Sequence, residues 1–543
     1  MNAIFLAIIA FIVFLLGYTV YGRLLTRLFD VDEKRETPAR VSYDGRDYVP
    51  AKHWLILFGH HFASIAGAGP ILGPVIAVVL WGWGPAVLWV FLGSIFIGGV
   101  HDFSSLMISV REGGKSIANV AEQSLSRKAK LFFSVFLWLT LVLVIAVFAA
   151  SAAKTLNTTP HVVIPTFGLI VVALIVGFLT YRLNINLIIA SFVGIIMLFG
   201  LIVLGYHVPI NASFHCWLFC LLGYAFIASV LPVNILLQPR DYLASFVLVF
   251  GLVFGYVGLL VTHPQIKVPF YIKWQGAQGD LWPMMFVIVA CGAISGFHSL
   301  VASGTTAKQL ASEKDTRRIG YGAMLAEGLL AVLAILAVTA GLYWKGGPAG
   351  LVYPELMKGG NWIATFGTGY GEIVKPLFGA VGMLIGITML KTFIMTTLDS
   401  ATRITRYIGE EFFGDALGIG LFRNPYFNTA VVIGFALWLS LGSWQAIWPV
   451  FGAANQLVAA LALFVVTAWL LGRNKSIKYT IYPALFMLIT TVAALVYQLF
   501  GFMDQGKIGL SVIAAVLIVL AVFMLLEVVN VIRKRSRNSA PLS

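Results

Sequence analysis

The chain has 543 residues, 60% of them hydrophobic and 11% charged, with a mean hydropathy of +0.93. Soluble domains carry about 25% charged residues, so a soluble enzyme or binding domain is excluded, and the apolar runs are too long for the strands of a membrane barrel. The formal charge of +14 would suit nucleic acid, but the basic residues are scattered through short loops, as in a helical membrane protein with basic cytoplasmic loops.

Residues 3–22 form the first expected span. No basic region precedes it and no small-residue cleavage site follows, so it reads as a mature helix and not a signal peptide. The second segment, 53–81, is long enough to cross a bilayer. Its centre nevertheless carries Gly67, Gly69, Pro70, Gly73 and Pro74, preceded by His60, His61 and Ser64. Backbone freed from helical hydrogen bonding persists at membrane depth only inside protein or beside a wet cavity. This segment is therefore expected to be non-helical around Gly67–Pro70 and to build a binding site. Thirteen more spans follow, at about 85–109, 131–152, 162–180, 185–206, 213–236, 242–262, 283–304, 320–343, 374–400, 429–444, 446–471, 480–501 and 508–531. Cys216, Cys220 and Cys291 lie in apolar segments and read as packing residues without disulfides.

With loop 23–52 in the cytoplasm, 28 of the 36 Lys and Arg fall in cytoplasmic loops or the basic tail. That asymmetry predicts an outside N-terminus, an inside C-terminus and an odd number of spans. The stretches 263–282 and 344–373 are the longest external ones and, rich in Gly, Pro, Trp and Tyr, read as lids or interfacial elements.

A second interruption is expected in the seventh span, SVLPVNILLQPRDY, where Pro232 and Pro239 flank Asn234. Two interrupted helices five spans apart point to an inverted-repeat transporter. The expected organisation is an extra N-terminal helix and loop (1–52), a first five-helix repeat (53–206), a second (207–428), and C-terminal helices with a basic tail (429–543).

Charges inside a membrane mark function or a buried pair. Lys391 falls well inside its span, with Asp102 and Glu327 at comparable depth as candidate partners. Asp399 and Arg403, spaced i,i+4, read as a local surface pair. His60, His61 and His298 can relay protons or hold an anion. Ser295, Ser299, Ser303, Thr305 and Thr306 offer hydroxyls suited to sodium, or to helix packing. No metal-binding spacing is present, and no cofactor is expected beyond a coupling H+ or Na+.

The motifs FGHHFASIAGAGPILGP at 58–74, HDFSS at 101–105 and SGFHSLVASGTT at 295–306 resemble the carbon starvation protein A (CstA) family over nearly the whole chain. The resemblance implies the fold of the amino acid–polyamine–organocation superfamily, a LeuT-like five-plus-five inverted repeat. It also implies ion-driven uptake of peptides or, in some members, pyruvate. It places Gly67, Ala68 and Gly69 at the substrate backbone, and Ser299 and Ser303 beside a possible cation site.

The expectation is thus an all-α, multi-pass transporter of a bacterial inner membrane, importing short peptides by alternating access, with a pyruvate or small-carboxylate symporter as the alternative. A channel is disfavoured by the lack of a filter motif. A metal-dependent enzyme would need His60, His61, His101 and Asp102 to converge. Candidate substrate-binding residues are His60, His61, Ser64, Gly67, Ala68, Gly69 and Asn234. Candidate ion-coupling residues are Lys391, Asp102, Glu327, His298, Ser299 and Ser303. The partners are a small-molecule substrate and the lipid bilayer, with no nucleic acid; the sequence sets no oligomeric state.

Overall fold

The computed structural model describes residues 1–124, 126–233, 235–358, 362–441 and 444–538. Among them, twelve helices are long and apolar enough to cross a bilayer: Ala3–Leu28, Trp54–Trp81, Trp83–Arg111, Arg127–Thr158, Pro160–Thr180, Ile188–His207, Pro239–Thr262, Glu313–Ala340, Val381–Ala416, Ile447–Leu471, Lys478–Asp504 and Ile508–Asn530. Two shorter apolar helices, Phe214–Val230 and Pro425–Ser440, stand among them. The expected span at 283–304 is instead a string of short pieces, including Phe286–Ile288, Ala290–Ala293, Phe297–Val301 and Ala302–Thr306.

The first broken helix follows its sequence. His53 caps Trp54–Ala66 by accepting the Leu55 N–H on its ring. Gly67 ends that half with φ +47° and ψ −157°, a conformation open to glycine alone. Ala68 follows, and Gly69–Trp81 begins with Pro70 in its first turn, where a missing N–H costs nothing. The break is thus two residues long, at Gly67 and Ala68.

The second break lies elsewhere than expected. Phe214–Val230 ends before Pro232, which forces the preceding Leu231 into an extended conformation (ψ 150°). A new helix, Leu237–Thr262, begins soon after, with Pro239 in its first turn. The prolines therefore join two helices and do not interrupt one. Asn234 lies outside the described residues. The true second break is in the 281–306 segment, where Ile294 leaves the helical region at φ −147°. The two broken helices cross here in close contact: a Cβ on Gly69 would stand 2.1 Å from the Cβ of Cys291, and one on Gly73 2.4 Å from the Ile288 carbonyl oxygen.

The basic loops gather at one end. Arg111 joins Glu313 to the carbonyls of Phe29 and Asp30, Tyr48 donates to Gly113 O, and Lys475 donates to Leu28 O. At the opposite end Lys267 N–H bonds Thr339 O, and Gln275–Gly276 pairs with Gly279–Asp280 in a small hairpin. The 344–373 stretch is not an open lid. It carries Tyr353–Lys358 and the start of Trp362–Phe378, which packs along Val381–Gly409. Among the described residues, three basic ones counted with the loops are buried: Arg240, Arg403 and Arg406.

Candidate functional site

Two polar networks start from consecutive residues on Trp54–Ala66. Successive helix positions diverge by about 100°, so His60 and His61 point to different neighbours. His60 Nδ1 lies 2.6 Å from Asp241 Oδ2, and its Nε2 lies 3.3 Å from the Gln309 amide nitrogen. The imidazole therefore donates to the carboxylate and accepts from the amide. Asp241 also receives the Arg240 guanidinium (Nε to Oδ1, 3.0 Å). Arg240 reaches on to Asp399 and to the Tyr224 hydroxyl, which itself donates to Asp399 at 2.7 Å. Asp399 and Arg403 are therefore no local surface pair. Both are buried, and Arg403 bonds Asp47 instead.

His61 builds the second network. Its Nε2 donates to Asp102 Oδ2 at 2.9 Å, and its Nδ1 faces the Thr306 hydroxyl at 2.8 Å. His298 stands 3.9 Å from Asp102 and 3.1 Å from Glu327 Oε2. The angles are poor for a hydrogen bond, so among the described residues both Glu327 oxygens and both His298 nitrogens lack a formal partner. His61, Asp102, His298 and Glu327 are all fully buried. Buried polar groups without partners are costly. A histidine and a carboxyl facing each other across 3.1 Å are suited to exchanging a proton. His101, though buried beside them, bonds nothing among the described residues. No three of the described His, Cys, Asp or Glu side chains converge as metal ligands.

Above both networks lies the break. No side chain caps Gly69–Trp81; Pro70 carries no N–H and the Ile71 and Leu72 N–H groups both bond the Ala68 carbonyl, which leaves the Gly69 N–H as the leading donor without a partner among the described residues. Thr397 donates to the Ser64 carbonyl at 2.9 Å, and Ser64 and Ser400 hydroxyls pair at 2.9 Å. Val381–Gly409 thus supplies the hydroxyls that face the last turn before the break. Ser299 and Ser303, expected at a cation site, donate to Gly296 O and Ser299 O of their own segment, as helix-packing hydroxyls do. A cavity of ≈ 10 Å³, room for about one water, is bounded by Gly67, Gly69, Phe148, Cys291, Ser295 and Thr397.

Lys391 is fully buried, as its solvation cost requires. It does not pair with Asp102 or Glu327. Its ammonium donates to the Ala152 carbonyl, and among the described residues no carboxylate lies within ion-pair distance. Asp102 is already taken by His61.

Sequence reasoning missed Asn455. Its side chain accepts the Phe297 N–H at 2.8 Å and donates to Ser295 at 3.0 Å, while its carbonyl takes the Gly296 N–H at 3.1 Å. One residue therefore holds the second break. An amide in the apolar run FGAANQLVAA was its signal. Asn455→Ala should lower stability by about 1–3 kcal/mol, the cost of leaving buried donors unmet, read as a fall in Tm of the detergent-purified protein. Asp241, Arg240 and Tyr224 were also missed, because Arg240 sits where a loop was expected.

The family described as carbon starvation protein CstA matches residues 2–369 and 357–494. "Peptide transporter CstA" of Campylobacter jejuni is 30% identical over 94% of this chain and 82% of its own length. "Pyruvate/proton symporter BtsT" of Escherichia coli is 31% identical over 92% and 82%. "Peptide transporter CstA" of Bacillus subtilis is 30% identical over 98% and 97%. Among solved structures, a mutant of the Eremococcus coleocola manganese transporter superposes with a TM-score of 0.55 at 12% identity, covering 91% of this chain and 99% of that one, a likeness of fold. The twelve candidate spans and these relatives make this a multi-pass protein of the bacterial inner membrane. With most of its length matched, the chain belongs to the carbon starvation protein CstA family.

Proposed function

We propose that this chain is a proton-coupled secondary active importer of small carboxylate-bearing nutrients, short peptides first, working by alternating access with its basic end in the cytoplasm. The observation that carries the reading is the uncapped break at Gly67–Gly69, set directly above the buried His61–Asp102–His298–Glu327 group. The Gly69 N–H and the positive end of Gly69–Trp81 suit a substrate carboxylate. The histidine–carboxyl group below suits a travelling proton. Pyruvate is the second reading, favoured by the Escherichia coli pyruvate/proton symporter at 31% identity. The cavity of ≈ 10 Å³ admits neither substrate, so the half-helices must move apart to load either.

The inverted repeat is drawn differently from the sequence expectation. Two breaks of opposite direction head two matching series of five. The first runs 54–262 with the hairpin 160–207 inserted, and the second runs 281–471. Support comes from matched packing: Leu237–Thr262 lies along the half-helix Trp54–Ala66, and Trp444–Leu471 lies along the pieces of 286–306. Likewise Arg127–Thr158 packs on Val381–Gly409, the third element of each series. Counting the two shorter helices and the 281–306 segment, the chain would cross the membrane fifteen times, with one extra helix before the repeats and two after.

The test is counterflow in proteoliposomes with labelled di- and tripeptides and with labelled pyruvate, under imposed pH or sodium gradients. Inward accumulation should follow the proton gradient. Glu327→Gln should remove pH-driven accumulation and leave downhill exchange. Sodium-driven accumulation indifferent to pH would defeat the proton reading, and no counterflow of either substrate class would defeat the transport reading.

A further inference from the structure

A second charged cluster lies at the cytoplasmic end, outside the networks described above. Asp44 Oδ1 accepts the N–H groups of Arg46, Asp47 and Tyr48 at 2.8, 2.9 and 2.9 Å, folding a tight turn. That turn presents Asp47 to three cations. Arg403 Nη1 is 3.0 Å from its Oδ1, Arg406 Nη2 is 4.0 Å away, and the Tyr407 hydroxyl donates to the same oxygen. The Lys308 ammonium lies over the Tyr407 ring at 4.1 Å and faces Tyr48 at 5.3 Å. Burial alone would raise the Asp47 pKa, but Arg403, the Tyr407 bond, Arg406 and Lys308 outweigh it and hold the carboxyl below its usual range.

Asp44, Glu410 and Glu411 add acidic charge around Lys308 and Arg406, but several guanidinium donors stay unmet. Arg406 Nε and Nη2 and Arg403 Nε are buried without a hydrogen-bond partner among the described residues. Arg406 is only 3% exposed. Nearby Glu411 takes the Ser116 hydroxyl at 2.6 Å. Guanidinium donors left idle in a buried place fit a planar, two-oxygen anion better than the single Asp47 oxygen they now share. The cluster also ties neighbouring segments together. Arg403 donates to the carbonyls of Ala228 and Leu231, Val233 N–H bonds Arg46 O, and Ala51 N–H bonds Gln309 O. The turn is thereby tied to three separate segments, one step from Gln309, whose side chain touches His60.

We propose that Arg403, Arg406 and Lys308 form a carboxylate-binding exit site, which Asp47 occupies in this closed conformation in place of the substrate's carboxylate. The Asp44–Tyr48 turn is then a latch, and an arriving carboxylate competes it off as the cytoplasmic side opens. The carboxylate ligand rests on the transport reading above; the latch rests on the geometry alone.

The test uses the full chain with Cys216→Ser and Cys220→Ser, leaving Cys291 beside the break as its single thiol. Its modification by a membrane-impermeant thiol reagent is timed from the cytoplasmic face of inside-out vesicles. Asp47→Asn should speed modification roughly tenfold or more, the scale of losing a charged hydrogen bond from the closed state. Asp47→Glu should stay near the parent rate. Millimolar pyruvate should change the Asp47→Asn rate, and adding Arg406→Gln should remove that response. An unchanged rate in a folded Asp47→Asn protein would overturn the latch. A pyruvate response that survives Arg406→Gln, or none at all, would overturn the exit site. Labelling needs no transport, so a chain that fails counterflow yet shows this pattern keeps the site and loses only the transport reading.

Discussion

Gly69→Ala should abolish transport, and Cys291→Gly should restore much of it, whereas Cys291→Ala should not. The added Cβ would sit 2.1 Å from the Cys291 Cβ and 2.5 Å from its sulfur, but 3.6 Å from its Cα. Real Cβ atoms do not approach so closely, so the two broken helices must separate or the backbone must distort, at about 1–3 kcal/mol for such overpacking. Removing only the sulfur leaves the clashing Cβ in place. Removing the Cβ as well turns 2.1 Å into ordinary contact. Uptake in proteoliposomes and Tm of each purified variant check this. A fully active Gly69→Ala protein would mean that the helices do not cross here.

Arg240→Met should be among the most destabilising single changes, by about 3–5 kcal/mol, since it leaves two carboxylates buried with one cation removed. Arg240 is 1% exposed and serves Asp241, Asp399 and Tyr224 together. Asp241 keeps His60, but Asp399 would keep only the Tyr224 hydroxyl. Taking the second charge away as well should help: Arg240→Met with Asp399→Leu should recover part of the Tm, because a buried pair can be exchanged for packed apolar side chains. Transport should stay impaired in both. A thermal midpoint unchanged in Arg240→Met would show that the guanidinium carries no structural charge balance.

What was legible in the chain was what local chemistry decides. Gly67 and Pro70 announce the first break because glycine and proline act on their own backbone. The second break was illegible, for VACGAISG at 289–296 contains nothing that must leave a helix. Asn455, some 160 positions away, makes the bonds that hold it open. Pro232 and Pro239 misled because proline ends helices as readily as it interrupts them. For Lys391, solvation cost foretold the inward orientation, but not that His61 had already claimed Asp102. Arg240 was read as a loop charge because hydropathy does not see a partner on another helix.

The half-helix Trp54–Ala66 is a rod of 13 residues, about 20 Å long at 1.5 Å per residue, ending at Gly67, whose backbone leaves the helical region. His60 and His61 project from it in directions about 100° apart, each engaged with a different group of neighbours. A tilt of the rod therefore loads both anchor points in the same stroke. Both contacts hang on one stiff element, so a displacement large enough to break the first would strain the second.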